Sequence, residues 1–366
     1  MEPKARRDLR TLPKAHLHIH LEGAMRGNTL TELCAQYGIE RPADTKYQKF
    51  DNFGGFLKMY WAACDSIRSR DDLARLVMEV AEDAAAEGVW WIEPAFDADR
   101  YSDLREGTAD QLFKTQEDGW HFALEAAAAA SRATGVGIGF ISAIDRIKSQ
   151  GEALRRAQVT RDLVKGNEHN IESGMACFDG DHAGIVGFGL HGNEGGHPPL
   201  PFAEAFRIAL DETGLISAPH AGEIPPYAGA GAESVQAAVE HLDADRIAHG
   251  VLAIEDEALI ERLAKEQVCL DICPTSNLLL RVFPSAAEHP LSRLMEAGVP
   301  CTLGSDDPLL FGPDLVEEFI LCREEMAMSD EQLAALARTS FIHSGAPDDV
   351  KKAGVEAVDA WLSIAP

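Results

Sequence analysis

The feature that most limits how this chain can fold is an alternation of two kinds of segment. Short apolar runs, rich in β-branched or aromatic residues and ending in glycine, proline or a polar residue, alternate with Ala/Leu/Glu-rich stretches of helical period. The runs fall at 16–21, 89–95, 136–143, 185–190, 215–219, 246–248, 268–272 and 300–304. Helical patterns lie between them at 70–87, 109–133, 202–212, 233–241, 256–266 and 291–297. Strands that alternate with helices pair in parallel, because a helical crossover carries the chain back to the end where the last strand began. Eight such runs predict an α/β fold, a distorted (β/α)8 TIM-like barrel, with an open doubly wound sheet as second choice. Two further helical patterns, 27–37 and 53–66, lie in the long interval after the first strand. They predict inserted helices placed as a lid over one end. No linker, repeat or composition break divides residues 1–366, so one barrel domain is expected.

Nearly every predicted strand ends in residues capable of chemistry. His18 and His20 lie in the first run, His191-Gly192-Asn193-Glu194 follows the fourth, and His220-Ala221-Gly222-Glu223 ends the fifth. His249 follows the sixth, Thr275-Ser276-Asn277 the seventh and Asp306-Asp307 the eighth. In a barrel all strands run one way, so these groups converge on the face where barrel active sites lie. His18 and His20 are two apart, share one face of a strand and can grip one metal ion. His16 has the same parity. A lone strand histidine is more often satisfied by its neighbours, but this pair has other ligand types on other strand ends. His220 with Glu223 suits a ligand beside a carboxyl acid, or a capped turn. His249 suits a group that orients or deprotonates water, or a core histidine bonded to backbone. Asp306 and Asp307 repel each other unless something compensates. A metal on one and a substrate on the other would do so, although Ser-Asp-Asp-Pro also reads as a turn.

Charge and cysteine usage exclude several classes. A net charge of −27 repels phosphate backbones and anionic lipid, which argues against nucleic acid or a membrane surface as partner. The seven cysteines, at 34, 64, 177, 269, 273, 301 and 322, are odd in number and form no short-loop framework. A disulfide scaffold is therefore not expected, and Cys269 and Cys273 read as core. No secretory apolar run follows Met1, and no stretch approaches the roughly 18 apolar residues of a spanning helix. A reduced cytoplasm is the expected compartment. No dinucleotide glycine loop and no serine nucleophile elbow appear. Phe53, Phe56, Met59, Tyr60 and Trp61 have helical spacing, which is more often core than pocket wall.

Together the motifs resemble the adenosine deaminase family. The matching pieces are Leu12-Pro-Lys-Ala-His-Leu-His-Ile-His-Leu-Glu-Gly23, His220-Ala-Gly-Glu223, Arg246-Ile-Ala-His-Gly250, Cys273-Pro-Thr-Ser-Asn277 and Ser305-Asp-Asp-Pro308, in the family's order. The resemblance implies a barrel with one Zn2+ on His18, His20, His220 and Asp306. It implies catalytic roles for Glu223, His249 and Asp306: Glu223 would protonate purine N1, and His249 would orient the attacking water and help deprotonate it. Asp307 would bond N7, the Gly192 backbone would face N3, and Glu22 would meet the sugar or the outer edge of the purine. The implied reaction is hydrolytic deamination of a 6-aminopurine base or nucleoside. Adenosine to inosine and ammonia leads, with adenine to hypoxanthine or aminodeoxyfutalosine deamination as alternatives.

The departures leave the ribose open. His16 stands where family members often carry Glu, and Asn193 where adenosine-specific relatives usually have Asp. Glu93-Pro94 and Gly196-His-Pro-Pro199 look like an adenine-deaminating branch. Leu12-Pro-Lys-Ala-His16 and Gly304-Ser-Asp-Asp-Pro-Leu-Leu-Phe-Gly312 resemble a branch that includes aminodeoxyfutalosine deaminases. Two other classes compete. A binuclear amidohydrolase often needs a bridging lysine after its fourth strand, and 185–194 contains none. A non-catalytic binding protein is disfavoured because every candidate position is filled. The Pro-Cys-x-x-Cys signature of cytidine-type zinc deaminases is absent.

Overall fold

A computed structural model of the chain describes residues 6–50, 54–166, 182–224 and 229–364. The chain begins with β1 (Lys14–His20), then α1 (Gly27–Tyr37), α2 (Gly54–Ser66) and α3 (Arg70–Ala86) before β2 (Val89–Phe96). α4 (Gln116–Thr134), β3 (Gly137–Asp145), α5 (Gln150–Lys165), β4 (Ala183–His191), α6 (Ala203–Leu210) and β5 (Ile216–Ala221) follow. Then come α7 (Ala230–Leu242), β6 (Arg246–His249), α8 (Glu257–Glu266), β7 (Cys269–Ile272), α9 (Pro274–Leu279), α10 (Leu291–Glu296) and β8 (Cys301–Leu303). Four helices end the chain: α11 (Pro308–Phe311), α12 (Leu315–Glu324), α13 (Asp330–Ile342) and α14 (Asp348–Ser363).

The strands pair in parallel in the order β1 to β8. The ring closes beyond β8, where the Asp306 amide donates to the His18 carbonyl at 3.2 Å and the His20 amide donates to the Asp306 carbonyl at 3.1 Å. This is the expected (β/α)8 barrel, with every strand boundary within two residues of the sequence reading. The runs were legible because helices cover the sheet, so the strands are buried throughout and read as near-continuous apolar segments.

The differences have local causes. The pattern at 109–133 becomes a helix only from Gln116, because Thr115 caps it by accepting from the Asp118 amide at 3.2 Å. Before that cap, the Leu112 and Phe113 amides both turn back to the Tyr101 carbonyl, at 3.0 and 3.1 Å. α5 and the helices after β8 lie outside the predicted set. α13 packs on β1 and β8 and covers the closing seam, and its Ser340 hydroxyl accepts from the Ala15 amide at 2.9 Å.

A charged cluster crosses the barrel interior. Arg246 on β6 donates to Glu93 on β2 at 2.6 Å and lies 3.0 Å from Asp271 on β7. Trp91 and Thr302 occupy the other carboxylate oxygens, at 2.7 and 2.8 Å. All three ions are essentially inaccessible. Glu93, suggestive of substrate preference in the sequence, is thus committed to the core. Removing one partner of such a group leaves uncompensated buried charge. Arg246→Met should lower unfolding free energy by about 3–5 kcal/mol, read as a reduced urea midpoint at unchanged slope.

Candidate metal centre and active site

The C-terminal strand ends gather the predicted residues around one cavity of about 310 Å³. Its walls include His20, His220, Glu223, His249, Asp306 and Asp307, with the Gly192 backbone at the β4 end. Of the two inserted helices, α2 reaches the cavity and contributes Leu57, Tyr60 and Trp61 to its wall, whereas α1 contributes no lining residue. Tyr60 and Trp61 are therefore cavity wall, while Met59 is core. Phe53, the Phe56 side chain and Cys177 lie outside the described residues.

The donor atoms converge. His18 Nε2 and His20 Nε2 each lie 3.5 Å from Asp306 Oδ1, and His20 Nε2 lies 3.2 Å from His220 Nε2. Donors that grip one tetrahedral ion at about 2.0–2.1 Å stand about 3.4 Å apart. The His18 ring is also oriented from behind: Nδ1 donates to the Asp271 carbonyl at 2.8 Å, which leaves the lone pair on Nε2. That buried Nε2 has no hydrogen-bond partner. Burial and the neighbouring imidazoles hold His220 well below its usual range, so it is neutral and able to ligate. The three histidines and Asp306 therefore fit a metal ion. Cys273 belongs to a second grouping with His18, His249 and Asp306, but its Sγ lies 3.3 Å from His18 Nδ1, on the side away from Nε2.

Backbone geometry sets these side chains. Asp306 and His249 take left-handed φ values of 58° and 65°, a conformation costing non-glycine residues about 1–3 kcal/mol and concentrated at functional sites. Gly23 carries no side chain because a Cβ there would lie 1.6 Å from Asp307 Oδ1.

His16 is explained by a bulge. The register of β1 on β2 slips between His16 and Ile19. His16 is thereby displaced from the face that carries His18 and His20, the usual effect of an inserted residue. Its Nε2 instead accepts from the Ser305 amide at 3.0 Å and meets the Ser305 hydroxyl at 3.1 Å. Burial, with His18 nearby, pushes His16 down to about 3, which keeps the ring a neutral acceptor. It clamps the segment leading into Asp306.

The acid–base groups lie beside these donors. Glu223 Oε1 is 3.6 Å from His249 Nε2, which is 3.9 Å from Asp306 Oδ2. Burial, then the charges of Asp306 and Glu194, push Glu223 well above the carboxylate range. Burial and Asp306 do the same to Asp307, whose Oδ1 is buried without a partner. His249 is reached by a relay. The Leu291 amide donates to His289 Nδ1 at 3.3 Å, His289 Nε2 donates to Asn277 Oδ1 at 3.1 Å, and the Asn277 amide faces His249 Nδ1 at 3.5 Å. This direction of donors puts the proton of neutral His249 on Nε2, toward the cavity. Glu22 is placed differently from the rest: it is buried behind the cavity, where it accepts the Tyr101 hydroxyl at 2.7 Å.

Residues 13–361 match the adenosine deaminase family. The chain belongs to that family. The deaminase is 39% identical, over 98% of each chain, to a Streptomyces virginiae protein with the provisional name adenosine/adenine deaminase. It is 31% identical to the aminodeoxyfutalosine deaminase of Acidothermus cellulolyticus, over 88% of this chain and 85% of the relative. Its fold matches the adenine deaminase of Arthrobacter aurescens with a TM-score of 0.81 and 29% identity, covering 96% of this chain and 99% of the other. The family is a metal-dependent group of hydrolases acting on C–N bonds.

Several site residues of the deaminase carried no assignment in the sequence reading. Asp97, Arg100 and Asp145 also line the cavity. Asp97 and Asp145 obey the strand-end rule that marked the others, but nothing in their neighbourhood resembles a ligand motif. Glu194 is the most consequential. Its carboxylate accepts from the Gly222, Glu223 and Ile224 amides at 2.8, 3.0 and 3.3 Å, so one buried side chain holds the loop that bears Glu223. Charge-assisted bonds of this kind contribute about 1.5–3 kcal/mol each. Glu194→Gln should lower kcat/KM by about 10- to 100-fold while metal content stays unchanged, measured by steady-state kinetics beside elemental analysis.

Proposed function

We propose that this deaminase hydrolyses the exocyclic amine of a 6-aminopurine with one zinc ion, with adenosine to inosine and ammonia as the lead reaction. The supporting observation is the meeting, in one cavity, of four metal-type donor atoms with a carboxyl group that burial holds in its acid form. His18, His20, His220 and Asp306 would hold the zinc. A zinc ion there acts as a Lewis acid that brings the pKa of a water toward neutrality.

The rest falls to the chain's own groups. His249 Nε2 would donate to the attacking water and orient it, and Asp306 Oδ2, 3.9 Å away, would take up the water's proton. As oxygen bonds to C6, Glu223 would protonate N1 and prevent charge from building on the ring. The C6–N bond then breaks and ammonia leaves with the proton held at Asp306. The remaining hydroxyl proton restores the Glu223 acid as the 6-oxo group forms. Asp307 would bond N7, and the Gly192 backbone would face N3. Glu22, expected at the outer edge of the purine, is instead held by the Tyr101 hydroxyl behind the cavity and makes no contact with the substrate in this reading.

Adenine is the second reading. It is favoured by the Arthrobacter aurescens neighbour, an adenine deaminase, and by Asn193 at the cavity wall. Aminodeoxyfutalosine follows from the Acidothermus cellulolyticus relative. Among the described residues no helix is long and apolar enough to cross a membrane.

A spectrophotometric screen of adenosine, deoxyadenosine, adenine and aminodeoxyfutalosine tests the reading, and at least one should be deaminated. Silence across the panel would favour a binding protein. Elemental analysis should give one zinc per chain, whereas two would support a binuclear amidohydrolase. Glu223→Gln should retain zinc and lose about 10²- to 10⁴-fold in kcat, while His220→Ala should lose the metal. Full activity in either variant would sink the assigned roles.

A further inference from the structure

Asn277 and His289 do not line the cavity, yet together they reach His249. Asn277 lies in the short helix α9 that follows β7, and His289 lies just before Pro290 and α10. Both are buried. The Leu291 amide is 3.3 Å from His289 Nδ1, His289 Nε2 is 3.1 Å from Asn277 Oδ1, and Asn277 Nδ2 is 3.5 Å from His249 Nδ1. Burial pushes His289 down to about 4, so its ring carries a single proton near neutral pH. The backbone of Asn277 is fixed as well. Its amide donates to the Cys273 carbonyl at 3.0 Å, and its carbonyl accepts from the Val282 amide at 2.9 Å.

The direction of this chain follows from its first member. An imidazole can carry its proton on either nitrogen, and a carboxamide can turn over, but a backbone N–H can only donate. The Leu291 amide therefore requires a lone pair on His289 Nδ1, which puts the ring proton on Nε2. That proton requires the Asn277 oxygen to face His289, which turns the Asn277 nitrogen toward His249. The Asn277 N–H in turn requires a lone pair on His249 Nδ1. The one proton of the neutral His249 ring is left on Nε2, which is buried without a hydrogen-bond partner and stands 3.6 Å from Glu223 Oε1.

We propose that His289 and Asn277 are positioning residues for the reaction: anchored on one backbone amide, they hold His249 as the Nε2–H tautomer and make it a donor to the attacking water, never an acceptor. The inference deepens the deaminase reading and rests on it for the role of that water. It separates two duties that one imidazole could otherwise combine. With Nδ1 occupied and the Nε2 proton in place, His249 orients the water, and the proton leaving the water goes to a carboxylate, Asp306 being 3.9 Å away. The effect at stake is large: in a catalytic triad, an imidazole held in the wrong tautomer costs about 10⁴-fold in rate.

The test uses the zinc-loaded enzyme with nitrogen-labelled histidine rings. Long-range proton–nitrogen correlation spectra show which ring nitrogen carries a proton, and the His249 signals are identified by their loss in His249→Gln. The wild type should show His249 with a bare Nδ1. His289→Leu removes the anchor and should lower kcat by about 10- to 100-fold with KM and zinc content unchanged. His289→Gln should recover most of that loss and keep Nδ1 bare, because its terminal amide can set oxygen toward Leu291 and nitrogen toward Asn277. Asn277→Asp offers only acceptors to both rings. It should place a proton on His249 Nδ1 and lower kcat too, which keeps the test decisive should His289→Leu fail to fold. The inference is overturned if His249 Nδ1 is protonated in the wild type, if it stays bare in Asn277→Asp, or if His289→Gln and His289→Leu lose kcat equally. The ring signals report the relay whether or not a purine is turned over, so silence across the substrate panel would count against the 6-aminopurine reading alone.

Discussion

The seam between β8 and β1 is the constraint on which the site depends. Asp306 exchanges backbone hydrogen bonds with His18 and His20, so three of the four metal-type donors are placed by the ladder that closes the barrel. Loops could not hold them so closely. The left-handed backbone at Asp306 turns its carboxylate back over the two histidines. Gly304 makes the approach feasible, because a Cβ there would lie 2.6 Å from His18 Cβ and from its carbonyl oxygen. His16 completes the seam by holding Ser305 through the bulge in β1.

Buried charge is handled in two ways. In the barrel interior and behind the cavity it is answered within the protein: Arg246 with Glu93 and Asp271, Arg156 with Asp97 and Asp99. At the cavity it is not. His18 Nε2 and Asp307 Oδ1 are buried without hydrogen-bond partners. Unpartnered buried atoms occur elsewhere in the fold as well, but these two lie beside the donor cluster, where a metal ion and a substrate would complete them. The two regions are joined, since the Asp271 carbonyl that orients His18 belongs to the same residue that pairs with Arg246.

Much of this was legible in the sequence. Fully covered strands leave continuous apolar runs, and capable residues at their ends point to one face once the strands are parallel. His18, His20, His220, Glu223, His249, Asp306 and Asp307 were all named from that rule together with the family motifs, and they meet around one cavity. What escaped depends on distant partners. Glu194 looked like a strand-end polar residue until its three amide donors from 222–224 were seen. His16 shared the parity of the metal pair and had no explanation until its bonds to Ser305 were seen.

The sequence by itself determined the barrel class, the family and the set of groups able to hold a metal and move protons, because those follow from periodicity and residue chemistry. Only the tertiary structure decided which histidine leaves the metal face, which tautomers the relays select, and which buried polar atoms remain without partners. Those outcomes turn on distances between residues up to some 290 positions apart in the chain, as His16 and Ser305 are. No local pattern encodes such a distance. It is set when the eighth strand closes on the first.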